Sequence, residues 1–165
     1  METGVRPLRD WTALAAMAAL EVRLATAAQA QPTQSWGAPS REFARYGVRT
    51  MVCDTRTHDA PCLGLACRAG TLVLVSAAGG GGPMDGPTRL STGPSSFTLR
   101  FRFDERAIDQ LGVAAASAEL APDQLEALMA ATSITLTAQS DARIRHQFPT
   151  RGLAEAGRWA AAGCG

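Results

Sequence analysis

The chain has 165 residues, enough for one domain with a modest core and too few for a second one of ordinary size. Its 16 basic residues, all Arg, stand against 15 acidic ones. A net charge of +1 supplies no electrostatic drive toward nucleic acid or an anionic bilayer and argues against both as partners.

Residues 1–30 read as a secretory signal peptide. Arg6 and Arg9 form a basic start, "WTALAAMAAL" is an apolar run, and Ala28-Gln29-Ala30 matches a small-x-small cleavage site. Asp10 and the Glu21-Val22-Arg23 interruption depart from that pattern, and leave a misplaced start or an uncleaved amphipathic helix as alternatives. No apolar run reaches the roughly 18 residues of a membrane span, so the expectation is a periplasmic or secreted protein without a transmembrane segment.

Residues 31–45 combine turn formers with no clear period and read as a loosely ordered entry segment, in which Trp36 is a candidate anchor. A single domain is expected over residues 46–165. "YGVRTMVCD" alternates, placing Val48, Thr50 and Val52 on one face and Arg49, Met51 and Cys53 on the other. After the polar loop "TRTHDAP", "CLGLAC" and "TLVLVSA" read as strands joined by a turn at "RAG", the second apolar enough to be buried on both faces. "AGGGGPMDGP" lacks the Gly-Lys-Ser/Thr ending of a phosphate loop and has no helix pattern after it, so it reads as a long connection.

"SFTLRFRF" alternates cleanly, with Phe97, Leu99, Phe101 and Phe103 opposite Thr98, Arg100 and Arg102. Residues 105–120 are Ala-rich and weakly patterned. A helix opens at Pro122, where Asp123 and Glu126 suit the first turn and Leu125, Leu128 and Met129 make a stripe. "SITLTAQ" and "ARIRHQF" form a strand pair around Asp141, Pro149 stops it, and Thr150 caps a last helix that Gly163 closes before Cys164. Strands first, one inserted helix, two more strands and a C-terminal helix define an α+β domain, mainly antiparallel and sandwich-like.

Cys53, Cys62, Cys67 and Cys164 are an even set in a small exported chain, which favours disulfides. If the first two strands form a hairpin, Cys53 and Cys62 lie opposite each other, while Cys67 points to the other face, free to meet Cys164. Cys62–Cys67 with Cys53–Cys164 is the alternative pairing. A metal site from Cys53, His58, Cys62 and Cys67 fits no standard spacing, and C-x4-C lacks the geometry of a redox pair. Ser76, Ser95 and Ser96 could be matched with His58 or His146, but no nucleophile motif frames them. No catalytic residue, metal or cofactor is therefore assigned. The Arg face of "RFRFDER", namely Arg100, Arg102 and Arg106, joined by Arg143 and Arg145 if the two strands are neighbours, is the candidate surface for an anionic ligand or partner.

The leader, "VRTMVCD", "APCLGLAC", "LAPDQLEALMAATSITLTAQ" and "FPTRGLAEAGRWAAAGC", taken in order, resemble the invasion-associated locus B family of exported bacterial proteins. The likeness spans about residues 45–165. Where the family tends to place Trp shortly before its first Cys, this chain has Arg49 and Thr50, and the extra Cys of "CLGLAC" is a further departure. The resemblance implies an envelope β-sandwich implicated in host interaction, with no active site to transfer. The functional expectation is a non-enzymatic, exported binding protein acting on a protein or envelope component. A small periplasmic hydrolase, or an inhibitor acting through "GGGGPMDGP", is the alternative.

Overall fold

The computed structural model describes residues 35–54, 60–78 and 83–165. The proposed leader and His58 lie outside them, as do Gly79 to Gly82 of the glycine loop. Twelve elements follow in chain order: α1 (Arg41–Arg45), β1 (Val48–Cys53), β2 (Cys62–Arg68), β3 (Thr71–Ala78), β4 (Gly86–Ser91), β5 (Ser96–Asp104), α2 (Arg106–Leu111), β6 (Ala114–Glu119), α3 (Pro122–Met129), β7 (Ile134–Ala138), β8 (Arg145–Phe148) and α4 (Leu153–Ala162).

All eight strands join one antiparallel sheet in the order β1-β2-β3-β6-β5-β4-β7-β8, which bears out a mainly antiparallel α+β fold. The sheet curls, so that inward residues from every strand meet in one cluster. Leu63, Leu65, Leu74, Leu99, Phe101, Leu136 and Phe148 are among them, together with Leu128 of α3 and Leu153 and Ala160 of α4. On the opposite face of β1, β2, β3 and β6, a second cluster forms around Val48, Ala66, Val73, Val75 and Ala115, with Tyr46 and Ala107. Buried on both faces, β3 therefore needs the unbroken apolar run of "TLVLV". β5 buries only its inward face along this stretch, and there the sequence alternates buried Leu99 and Phe101 with exposed Thr98, Arg100 and Arg102.

Several elements differ from the sequence reading. β1 pairs Val48 with Ala66 and Thr50 with Leu65, making Arg49 the extra residue of a bulge. That shift turns Val48 toward the outer cluster while Val52 faces the inner one, so the two do not share a face. Phe103, one rung before the end of β5, is 42% exposed instead of joining Phe101 in the core. Helices α1 and α2 and strands β4 and β6 were hidden in stretches without a clear period, where Ala and turn formers blur both helical and strand patterns. Thr150 does not cap α4; Gly152 does, in the left-handed conformation at φ 78°.

Ser35–Arg45 is built into the domain instead of hanging loosely from it, because Trp36 is only 5% exposed. Its backbone N–H donates to Arg151 O at 2.9 Å and its indole Nε1–H to Pro149 O at 3.0 Å. Gly37 exchanges two backbone hydrogen bonds with Met51 of β1, at 3.1 and 3.0 Å, and its carbonyl also accepts from Thr50 Oγ1. These two residues join the first strand of the sheet to the chain leaving the last, at the seam where β1 and β8 share no ladder.

Truncating this latch should be costly. Trp36→Ala is expected to lower unfolding stability by about 3–5 kcal/mol, whereas Trp36→Phe, which keeps most of the ring and removes the indole donor, should cost roughly 1–2 kcal/mol. Urea titration of the two variants against the parent checks this; no loss in Trp36→Phe would show that packing alone closes the seam, and equal losses that the indole hydrogen bond does.

Candidate functional site

The cysteines pair as Cys53–Cys62 and Cys67–Cys164, and no cysteine is free. Strand parity carries this result. Cys53 and Cys62 are register partners across β1 and β2, and Cys62 packs toward the outer cluster, whereas Cys67, an odd number of residues along β2, turns inward to the end of α4. With every thiol consumed, the metal site built on Cys53, Cys62 and Cys67 and the thiol-redox reading both lose their ligands. None of Ser76, Ser95 and Ser96 is hydrogen-bonded to His146; Ser76 is buried and accepts from Met84 N–H at 3.2 Å. That bond, with Met84 itself fully buried, ties the Pro83 end of the glycine loop into the core.

The arginines predicted as one surface separate into three groups. β4 and β7 stand between β5 and β8, so Arg100 and Arg102 are not neighbours of Arg145. Arg143 is spent on the β7–β8 turn, where Nη2 and Nε reach the Asp141 carboxylate at 2.8–3.2 Å. Arg106 is spent as well: its backbone N–H and Nε donate to Asp104 Oδ1 at 3.1 and 3.2 Å, and Nη2 reaches Oδ2 at 3.4 Å. Without an ion-pair partner within 4.0 Å among the described residues are Arg145 on β8 and, side by side on the outward face of β5, Arg100 and Arg102.

Arg100 and Arg102 line a groove of about 590 Å³ over β5, β6 and β3, whose lining also includes Arg68, Ala69 and Thr71 at the β2–β3 turn, Val73 of β3, and Ser117 and Glu119 of β6. The volume lies within the range of small-molecule sites, roughly 300–1,000 Å³. Sequence reasoning missed Arg68, Ser117 and Glu119, because their meeting depends on β6 inserting between β3 and β5. Arg68 ends β2 at a two-residue hairpin turn, Ala69-Gly70, whose φ values of 49° and 77° are both left-handed. Ala69 has no glycine-like freedom there, so the turn beside the groove is strained.

Arg68 is held from below. Its Nη1 donates to Asp104 Oδ2 at 3.2 Å and to Ser117 Oγ at 3.4 Å, and its guanidinium lies 4.7 Å from the centroid of the Tyr46 ring. Tyr46 Oη donates to the same Asp104 oxygen at 2.7 Å. The hydrogen bonds from Arg106, followed by that from Tyr46, hold the Asp104 carboxyl well below the usual carboxylate range despite its burial. Burial pushes the Tyr46 hydroxyl up, with the bond to Asp104 adding to the effect. Asp104 thus stays charged and fixes one arginine of the groove in place.

A second concave surface of about 440 Å³ lies beside the seam, between Gly37–Pro39, Arg49, Glu155 and Trp159. Trp159 is 58% exposed, with the Arg49 guanidinium 5.8 Å from its ring. On β8, opposite Leu136, His146 Nε2 is buried without a hydrogen-bond partner among the described residues, and its ring meets Phe148 edge-on at 6.4 Å between centroids. Burial pushes its pKa down from the ordinary 6.5, against the opposing field of Asp54.

With fold and site in view, comparison with known protein families, with curated proteins and with solved structures finds no match for this chain. The resemblance to the invasion-associated locus B family therefore rests on the quoted motifs alone.

Two outcomes are expected from this geometry. Asp104→Asn, which leaves Arg68 and Arg106 without their carboxylate, should lower stability by about 1–3 kcal/mol in thermal or urea unfolding. For His146, the unfolded chain takes up a proton before the folded one. Stability should be fully present above the ordinary pKa of 6.5 and fall as pH drops below it. The urea midpoint measured from about pH 8 to about pH 5.5 should decline in the parent and decline less in His146→Phe.

Proposed function

We propose that the chain is an exported, non-enzymatic binding protein of the bacterial cell envelope, and that the Arg68, Arg100 and Arg102 groove receives an anionic group of its ligand or partner. The observation that carries this reading is the contrast within the basic residues of the predicted surface. Arg106 and Arg143 are clamped by carboxylates two residues away, while Arg100, Arg102 and Arg145 stand free of ion pairs among the described residues, and of these Arg100 and Arg102 share a groove with Arg68. Guanidinium groups on adjacent outward positions of one strand present parallel donors suited to phosphate, sulfate or carboxylate oxygens. A rigid sheet holds them, and Asp104 and Tyr46 orient the third.

Two disulfides favour an oxidising compartment, which supports the periplasmic or secreted location proposed from the leader. Among the described residues no helix is long and apolar enough to cross a membrane. The family resemblance adds an expectation of host interaction, and the groove is the surface to which we assign it.

Glycerol 1-phosphate is a suitable minimal probe. Nuclear magnetic resonance titration should shift the backbone amides of Arg100, Arg102 and Ser117. Arg100→Ala/Arg102→Ala should weaken binding by about tenfold or more, and Arg145→Ala, three strands away, should leave it unchanged. Equal weakening by the Arg145 variant, or shifts elsewhere only, would overturn the assignment.

A further inference from the structure

We infer that the ligand of this groove is dipolar: a phosphate ester that also carries an ammonium group, as in phosphoethanolamine, with the phosphate on Arg100 and Arg102 and the ammonium on Glu119. The inference rests on the anion-binding reading above and adds the cationic half.

Its basis is where the β5–β6 ladder stops. That ladder has rungs at Asp104/Ala115, Phe103/Ala116 and Arg102/Ser117, and ends there. One further pair of steps in the same register would set Arg100 opposite Glu119, the usual place for a cross-strand ion pair. No such pair forms within 4.0 Å; beyond Arg102 and Ser117 the strands part, and the groove opens between them. Beyond Glu119, Leu120 turns into the core, its N–H donating to Leu72 O at 3.2 Å, and α3 begins. A guanidinium and a carboxylate that could have neutralised each other thus stand on opposite lips of one cavity.

Each simple ligand leaves one lip mismatched. A polyanion meets Glu119, a cation meets three arginines, and a neutral molecule matches neither side. Phosphate is favoured over carboxylate at the anionic end. Arg100 and Arg102 bring two unpaired guanidinium groups to the groove, and a phosphate monoester brings close to two negative charges and three acceptor oxygens, where a carboxylate brings one charge and two oxygens. Ser117 Oγ, which accepts from Arg68, keeps its own hydroxyl hydrogen to donate to a phosphate oxygen. At the other end Glu119 is acceptor-only, which selects a donor such as an ammonium group.

A phosphate ester of ethanolamine occurs free as a monoester, which the charge count above favours, or on a lipid headgroup as a diester with one charge and two free oxygens, and the test separates the sources. Calorimetry of the full mature chain would compare O-phosphoethanolamine with glycerol 1-phosphate, and sedimentation would compare phosphatidylethanolamine vesicles with phosphatidylcholine vesicles, each with Glu119→Gln alongside the parent. We expect the parent to prefer the amine-bearing probe by about fivefold in at least one of the two pairs, and Glu119→Gln to abolish most of that preference while binding glycerol 1-phosphate more tightly than the parent does. Preference in the soluble pair assigns a free ligand, and preference in the vesicle pair assigns a headgroup. Glycerol 1-phosphate binding as well as phosphoethanolamine, with no vesicle preference, overturns the dipolar inference and leaves the anion site standing. A preference that survives Glu119→Gln also overturns it. Absence of binding to any phosphate probe removes both readings together.

Discussion

An eight-stranded antiparallel sheet that curls around one core has a first and a last strand to reconcile, and here β1 and β8 do not pair. The whole architecture depends on what fills that seam. Trp36 and Gly37 do so with backbone and indole hydrogen bonds to both sides, and Trp36 adds the largest side chain in the inner cluster. Unpaired edges would otherwise expose β1 and β8 as templates for another strand. The latch comes from the stretch of sequence with the least pattern, so its role depends on one residue type at one position and on none of the periodicities that announce strands.

The disulfides act on the same problem from the other end of the chain. Cys53–Cys62 braces a hairpin that its own register already aligns, across a separation of only 9 residues. Cys67–Cys164 spans 97 residues and fixes α4 against β2, and in the chain-entropy model such a loop is worth about 4–5 kcal/mol through the unfolded state. α4 follows directly on the segment that Trp36 grips, since Gly152 begins the helix and Arg151 accepts the Trp36 N–H. The helix that closes the inner core is therefore held at both ends, by a hydrogen-bonded latch at its start and by a covalent bond just past its finish.

Local signals carried a good part of this structure. Alternation marked β1, β5, β7 and β8, continuous apolar character marked β3, and Pro122 with its acidic first turn marked α3. Parity across the expected hairpin favoured the observed cysteine pairing over Cys62–Cys67 with Cys53–Cys164, and it held because β2 runs from Cys62 to Cys67 without a bulge. The failures share a different cause. The bulge at Arg49 alters parity within β1 without any turn residue to announce it, and "AAASAE" is a strand only because β3 and β5 flank it. The order in which strands join the sheet is set by non-local packing. That order decides that Arg102 meets Ser117 and that Arg145 lies three strands away.

The groove illustrates how a site can arise from a mismatch between strand lengths. β6 runs six rungs against β3, and β5 runs six against β4, but β5 and β6 share only three. The two halves of the sheet are therefore hinged at one end and parted at the other. Inside the sheet the parting is filled, since Leu99, Phe101, Leu120 and Leu128 belong to one cluster. Outside it the groove is lined by strand and turn residues, while α1 and α2 pack on the outer cluster through Phe43, Ala107 and Leu111. Desolvation therefore never forces Arg100, Arg102 and Glu119 to neutralise one another, as burial would have required. The Asp104 carboxylate, by contrast, is only 10% exposed and collects Tyr46, Arg68 and Arg106 around itself. Charge is satisfied where the sheet is closed and left unpaired at Arg100 and Arg102 where it opens, with Arg68, held by Asp104 and lining the groove, on the boundary between the two.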